Sequence, residues 1–343
     1  AAGLNKAARN HILIRDTSAL EQMRNVDVVV FDKTGTLTEG HPTVIGWLWA
    51  QGQEDHYKDV LLAAESTSDH PLAEAIVTAL EGEEQVIPAH LDGFESIAGK
   101  GVRVAYQGAE YWVGSHKLLK DYQANLSDIL ADMLTQYESD GNSIVYFGRE
   151  NDLLAVIAIK DQLRVTSMEA IRELRTQDIE ICMLTGDGER TASSVAGSLG
   201  IMRFVADAMP DDKEDFIHKL QLQGKTVAMV GDGVNDAQAL SCADVSIAMG
   251  KGTDTLMDTA MITLRTSDLL LLPKVFRLSH QTVGLMYRNL FWAFIYNTVG
   301  IFVAAGVLYP VYDILLSPAL AGAAMALSCV SVALSSLRLS SRF

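Results

Sequence analysis

The sequence predicts an α/β protein in three parts: a doubly wound parallel sheet, a second α+β unit inserted into it, and an apolar helical hairpin at the C-terminus. Three observations predict it. Short β-branched apolar runs recur, each ended by an acidic turn; helical stretches with capping signals separate them; and two long uncharged stretches close the chain. At roughly 100–200 residues per domain, 343 residues leave room for two or three domains.

The first run is Val-Asp-Val-Val-Val-Phe at 26–31, a buried strand, followed by the polar turn Asp32-Lys33-Thr34-Gly35-Thr36. A second unit is 179–184 with Thr185-Gly186-Asp187, and a third is 226–230 with Gly231-Asp232-Gly233. Thr166-Ser167-Met168-Glu169 reads as a capping box opening a helix to about Gln177, and 211–223 as an amphipathic helix stopped by Gly224. Strand and helix in alternation mean a parallel sheet. The segment 46–150 breaks this rhythm, with its own glycines, aromatics and the acidic run Glu81-Gly82-Glu83-Glu84, and reads as an inserted domain. Its clearest helix starts near Pro71, capped by Ser68 or Asp69.

Beyond Leu264 the composition changes. Residues 290–309 and 314–337 carry no charge, and each is near the ~20 residues of a membrane-spanning helix. Lys274, Arg277 and Arg288 precede the first, Arg338 and Arg342 follow the second, and 310–313 has no cation, so both outer ends face the cytoplasm by the positive-inside rule. The expected division is a stalk linker (1–23), the sheet domain in two pieces (24–45 and 151–265), the insert (46–150), a stalk helix (266–288) and two spans (289–309 and 314–337). The start at Ala1, without the cationic opening and apolar core of a signal peptide, reads as a piece of a longer chain.

Charge and cysteine content exclude other classes. Lys and Arg total 27 against 43 Asp and Glu, a net charge of −16, so no basic field attracts nucleic acid. Cys182, Cys242 and Cys329 are too few and scattered for a disulfide framework or a CxxC zinc site, which fits a reducing compartment.

The acidic turns follow parallel strands, and open α/β sheets place ligands at that carboxyl edge. Crowded carboxylates repel unless a cation joins them, and hard oxygen donors favour Mg²⁺ with Asp232 and Asp236 as side-chain ligands. Asp32 can then attack a phosphoryl group and carry it as an aspartyl phosphate, while Lys213 and the Thr185 hydroxyl hold the equatorial oxygens. An isolated Asp-Gly turn is ordinary loop punctuation.

Together the wordings say more. Asp32-Lys33-Thr34-Gly35-Thr36-Leu37-Thr38, Thr185-Gly186-Asp187 and Gly231-Asp232-Gly233-Val234-Asn235-Asp236 resemble the phosphorylation, hinge and magnesium motifs of the P-type ATPases. The resemblance implies a haloacid-dehalogenase-like phosphorylation domain. Its catalytic residues would be Asp32, Lys33, Thr34, Thr185, Gly186, Asp187, Lys213 and Asn235, with Mg²⁺ held by Asp32, Asp232 and Asp236. Gln238 departs from the usual proline. Soluble phosphatases of the superfamily place a second Asp two residues after the nucleophile; Thr34 stands there instead, so the phosphoenzyme should persist. A membrane-anchored phosphatase and a nucleotide sensor are the competing readings.

In the insert, Glu65, Ser68-Asp69-His70-Pro71-Leu72 and Gly99-Lys100-Gly101 resemble the nucleotide-binding domain of the heavy-metal-transporting branch. The implied ATP contacts are Glu65, His70, Gly99 and Gly101, whereas Ser115 departs from the usual Asn. Tyr296-Asn297 in the first span and Met325 and Ser328 in the second resemble the last two helices of copper-transporting P-type ATPases. That implies Cu(I) or Ag(I) as cargo, since soft thioether and neutral oxygen donors suit such ions, and no intramembrane Lys or Asp of the zinc type is present. A pump for Zn²⁺, Cd²⁺ or Cu²⁺ is the alternative. The resemblance covers the C-terminal half of such a pump, without the Cys-Pro-Cys helix or actuator domain, and implies ATP, Mg²⁺, the lipid bilayer and a soluble copper chaperone as partners.

Overall fold

Val28, Val29, Val30 and Phe31 are fully buried, in two opposite directions. Val29 and Phe31 pack with Ile171, Leu174, Val195 and Phe276, whereas Val28 and Val30 pack with Ile217, Leu220 and Leu240. A strand covered on both faces must be apolar without alternation, which is how the sequence reads here. The computed structural model describes residues 2–50, 57–68, 70–83, 86–124, 128–232, 236–250, 260–305 and 330.

Numbered along the chain, the first sheet comprises β1 (Ile12–Ile14), β2 (Val28–Asp32), β9 (Glu180–Leu184), β10 (Arg203–Val205), β11 (Val227–Gly231), β12 (Val245–Met249) and β13 (Ile262–Leu264). Its order is β1-β13-β12-β11-β2-β9-β10, parallel except for β1 against β13. Phe31 pairs with Val230 on one side and Met183 on the other, so the carboxyl ends of β11, β2 and β9 lie level at the centre of the sheet. Helices α7 (Ser167–Arg175) and α8 (Glu189–Leu199) cover one face, α9 (Pro210–Leu222) and α10 (Ala237–Cys242) the other. The doubly wound fold expected from the sequence is present.

The second sheet is antiparallel, in the order β3-β8-β7-β6-β5-β4: β3 (Thr43–Trp49), β4 (Gly93–Ile97), β5 (Gly101–Tyr106), β6 (Ala109–Gly114), β7 (Ser143–Arg149) and β8 (Asp152–Lys160). It takes in residues on both sides of the segment 46–150. Helices α3 (Lys58–Glu65) and α4 (Pro71–Glu81) bury Val60, Leu61, Ile76 and Leu80 against Val104, Val113 and Phe147. On the other face α5 (His116–Asp121) and α6 (Asp128–Ser139) pack Leu118 and Leu134 near Trp112 and Tyr146.

Two capping expectations are corrected. Thr166 has helical backbone angles (φ −86°, ψ −9°) and makes no side-chain cap bond; its Oγ1 accepts from the Leu269 N–H at 3.3 Å. A side-chain cap needs the extended conformation that Thr166 lacks. At α4 the cap is His70 rather than Ser68: its Nδ1 accepts from the Leu72 N–H at 3.2 Å, while Ser68 Oγ accepts from the His70 N–H at 3.3 Å, and Asp69 lies outside the described residues.

At the N-terminal end are α1 (Ala2–Arg9) and α2 (Ser18–Arg24), and at the other end α11 (Leu271–Ala304) runs for 34 residues without a break. The expected stalk helix and first span are thus one helix as far as Ala304. Leu272, Val275 and Phe276 fix its start in the core of the first sheet, and Arg24 of α2 lies over the Tyr287 ring at 5.5 Å. Among the described residues no helix is long and apolar enough to cross a membrane. The expected second span, 314–337, lies outside the described residues except for Val330.

Candidate active site

β2 delivers Asp32 to the carboxyl edge of the sheet, where its side chain is 8% exposed. Lys213, on the first turns of α9, reaches the same edge from the facing layer. Its Nζ donates to Asp32 Oδ1 at 2.7 Å and to Asp236 Oδ1 at 2.6 Å. Burial alone would lower the Lys213 pKa, but the two carboxylates outweigh it and hold the ammonium charged. Burial, reinforced by the negative charge of Asp32, pushes Asp236 up to about 7. Asp236 Oδ2 is buried without a hydrogen-bond partner.

After Asp32 the chain makes a tight irregular turn. Gly35 has φ +73°, and a Cβ there would lie 2.6 Å from Asp232 Oδ2. Glycine is therefore required twice, for the left-handed backbone and for the approach of Asp232. The turn is held from outside. Arg164 donates to the carbonyls of Gly35 (2.6 Å), Thr36 (3.0 Å) and Glu39 (3.4 Å), while Asp161 accepts from Thr38 Oγ1 at 2.5 Å and from the Gly40 N–H at 3.1 Å. Neither residue was singled out in the sequence. The available signal was two opposite charges directly after an apolar strand, β8, that ends beside the turn.

Lys33 is buried, forms an ion pair with Asp187 and donates to Ser143 Oγ at 3.1 Å. Burial works against the Asp187 carboxylate, yet Lys33 prevails and holds its pKa below the usual range. Thr185 Oγ1 donates to Asp187 Oδ2 at 2.9 Å and accepts from the Asp187 N–H at 3.1 Å, so the Thr185-Gly186-Asp187 turn is locked on itself. Ser143 belongs to the second sheet, and sequence reading missed it.

A cleft of about 850 Å³ opens between the two sheets. Asp32, Thr34, Thr185, Gly186, Asp187 and Lys213 line one wall, and Glu65, His70, Gly99 and Gly101 the other. Glu65 is almost fully buried, and desolvation pushes its carboxyl up to about 7. The His70 ring is open to the cleft, yet the walls around it lower its pKa by desolvation. Gly101 has φ +141°, and a Cβ there would meet the Val113 carbonyl at 2.0 Å, so the β5–β6 contact admits no side chain. Asn235 lies outside the described residues. Tyr296 and Asn297 are exposed on α11, far along the chain from this cleft, and Met325 and Ser328 lie outside the described residues.

The donors fit Mg²⁺. Asp32, Asp232 and Asp236 supply only hard oxygens, Asp236 keeps an unpartnered buried oxygen, and a lysine ammonium already sits between two of the carboxylates.

A carboxylate at the end of the central strand, a lysine bridging it to a second acid and an inserted α+β unit closing a cleft over them define a doubly wound α/β protein with its site at the carboxyl edge of the sheet. Residues 26–244 match the haloacid dehalogenase-like hydrolase family, and the chain belongs to it. It is also similar over nearly its whole length to P-type ATPases. It is 42% identical to a copper-exporting P-type ATPase of Legionella pneumophila over 98% of the chain and 46% of that protein. It is 43% identical to a silver-exporting P-type ATPase of Salmonella typhimurium over 99% of the chain and 41% of that protein. The resemblance to heavy-metal P-type ATPases read in the motifs is borne out, and the chain spans less than half the length of these relatives. Among solved structures, a zinc-transporting PIB-type ATPase in the E2.Pi state superposes with a TM-score of 0.67 at 34% identity, covering 99% of the chain and 54% of that structure. The catalytic domain of the CPx-ATPase CopB-B gives 0.65 at 28% identity, covering 80% of the chain and 97% of that domain.

Proposed function

We propose that the chain is the phosphorylating part of an ATP-driven pump for a soft monovalent metal ion, Cu(I) or Ag(I), that works through an aspartyl phosphate on Asp32. The observation that carries this reading is Asp32 itself: a buried carboxylate at the centre of the carboxyl edge, bridged by Lys213, with Thr34 rather than an acid two residues on. Glu65, His70, Gly99 and Gly101 hold ATP on the far wall of the cleft and present its γ-phosphate to Asp32. Asp32 Oδ attacks phosphorus, the bond to the bridging oxygen breaks, and ADP leaves. The Lys213 ammonium and the Thr185 hydroxyl bind the equatorial oxygens as charge spreads onto them. Asp32, Asp232 and Asp236 would hold Mg²⁺, which when bound would neutralise phosphate charge, and Asn235 is assigned a catalytic part by its motif. Without an acid at position 34, water has no base to attack the acyl phosphate, and the intermediate lasts long enough for a change of shape.

With β3 and β8 pairing in the second sheet, the bounds expected at 45/46 and 150/151 move outward: the phosphorylation domain is assigned to 24–42 and 161–265 and the nucleotide-binding domain to 43–160. The two uncharged C-terminal stretches, and the positive-inside pattern around them, support a bilayer location with the catalytic domains on the cytoplasmic side. Tyr296, Asn297, Met325 and Ser328 are assigned to the metal path, and a soluble copper chaperone to delivery. The copper- and silver-exporting relatives, at higher identity than the zinc-transporting structure, support the monovalent cargo.

The test is acid quenching after incubation with γ-labelled ATP and Mg²⁺. Label that hydroxylamine removes and that Asp32→Asn lacks supports the reading; label that persists in Asp32→Asn overturns it. Joined to the N-terminal half of a copper-exporting relative, the chain should show labelling stimulated by Cu(I) and Ag(I) and not by Zn²⁺, with the stimulation lost in Met325→Ala or Asn297→Ala.

A further inference from the structure

Away from the cleft, α9 and α10 lie side by side under the first sheet. Glu214 and His218 are four residues apart on α9 and so share one side of that helix, and Cys242, the last residue of α10, meets them. A carboxylate oxygen, an imidazole nitrogen and the thiol sulfur lie within 4.8 Å of one another. Bonds of about 2.0–2.3 Å to a tetrahedral ion place ligand atoms roughly 3.5 Å apart, a contraction that partly exposed side chains make by small rotations.

The surrounding hydrogen bonds orient the ligands. Gln221 Nε2 donates to the Cys242 carbonyl at 2.9 Å, which fixes the amide so that its oxygen faces His218 Nδ1 at 3.1 Å. Nδ1 of the neutral ring therefore carries the hydrogen, and Nε2 presents a lone pair 3.4 Å from Glu214 Oε1. Two acceptors at that separation face each other with a cation's or a proton's place between them. Gln221 thus serves as the outer partner that metal-binding histidines usually have.

We infer that Glu214, His218 and Cys242 bind one divalent cation of the Zn²⁺ class, with water in the fourth position. A thiolate and an imidazole exclude Mg²⁺ and Ca²⁺, whereas the carboxylate makes the set poor for Cu(I). Binding breaks the Cys242 S–H bond, sends that proton to solvent and forms a metal–sulfur bond, with no change of oxidation state. Thiolate and carboxylate together neutralise the dication. The ion would tie α10 to α9 next to Lys213, outside the phosphoryl site and independently of the function proposed above.

Co²⁺ titrated into the full chain, reduced and stripped of metal in detergent, reports the site through its sulfur-to-cobalt charge-transfer band. Co²⁺ at the all-oxygen Asp32 site gives no such band, and Cys182 is fully buried in β9. One equivalent should produce the band and one equivalent of Zn²⁺ should abolish it. Cys242→Ser should remove the band, and His218→Ala, at an exposed position, should weaken binding at least about tenfold without changing the metal-free melting temperature. No band in the unaltered chain, a band that survives Cys242→Ser, or unchanged affinity in His218→Ala would each overturn the inference.

Discussion

Glu65 shows how a single residue reports on its surroundings. Burial raises its carboxyl from 4.5 to about 7, so the folded state favours the neutral form. Below pH 4.5 the acid is protonated folded or unfolded and contributes nothing; as pH rises toward 7 the unfolded chain ionises freely while the folded one resists. Folding therefore loses stability across that window and no further above it. At about 1.4 kcal/mol per pH unit the cost near pH 8 is about 3 kcal/mol. Glu65→Gln should accordingly stabilise the chain by that order at pH 8 and by much less at pH 5. Denaturant unfolding followed by tryptophan fluorescence reads it well, since Trp47, Trp49 and Trp112 sit in the second sheet; an equal effect at both pH values would contradict it. Gly35 gives a second expectation. Gly35→Ala strains a backbone at φ +73° and pushes its methyl onto Asp232, so phosphoenzyme labelling should fall sharply, and about 1–3 kcal/mol of strain should lower the melting temperature by several degrees. Retained labelling would mean that the close approach of Asp232 to Gly35 is not needed for the reaction.

At the scale of elements, the turn after β2 depends on a clamp that arrives from 128 residues away in sequence. Arg164 is held in a partly buried position where desolvation lowers its pKa, and its return is the set of carbonyls it satisfies. Arg164→Ala leaves those carbonyls without a donor, a loss of about 1–3 kcal/mol, and should reduce labelling more than ATP affinity, because the turn carries Asp32 and not the proposed ATP contacts. Arg164→Lys should not rescue it, since one ammonium cannot fork across the Gly35 and Thr36 carbonyls. Wild-type labelling in the Ala variant would remove Arg164 from the account. The clamp also marks where the sequence stops being legible. β2, β9 and β11 were readable because each is a continuous apolar run ended by an acidic turn, and their carboxylates are local to those runs. Arg164, Asp161 and Ser143 act on residues more than 100 positions away, and nothing local to them signals it. The cap at α4 failed for a related reason: Ser68 and His70 both offer side-chain acceptors, and only the backbone path decides that the imidazole reaches Leu72.

Across the whole molecule, one continuous helix joins the first sheet to the apolar end of the chain. The first turns of α11 bury Leu272, Val275 and Phe276 in the same core as Phe31, the neighbour of Asp32. Beyond Arg288 the pattern reverses. Leu290, Phe291, Phe294, Val299, Ile301 and Phe302 are each at least 55% exposed and spread over about half of the helix circumference. An apolar helix surface that wide is stable only where protein or lipid covers it. Tyr and Trp enrichment suits the boundary between headgroups and hydrocarbon, and Trp292, stacked on Tyr296 at 5.7 Å, stands one turn past Arg288. The chain in vesicles with brominated acyl chains should therefore show fluorescence quenching confined to Trp292. Trp292→Phe should abolish it, because Trp47, Trp49 and Trp112 belong to the second sheet, away from the helix. Quenching that survives Trp292→Phe would place the wrong part of the chain in lipid, and no quenching at all would require that the exposed face of α11 be covered by protein instead.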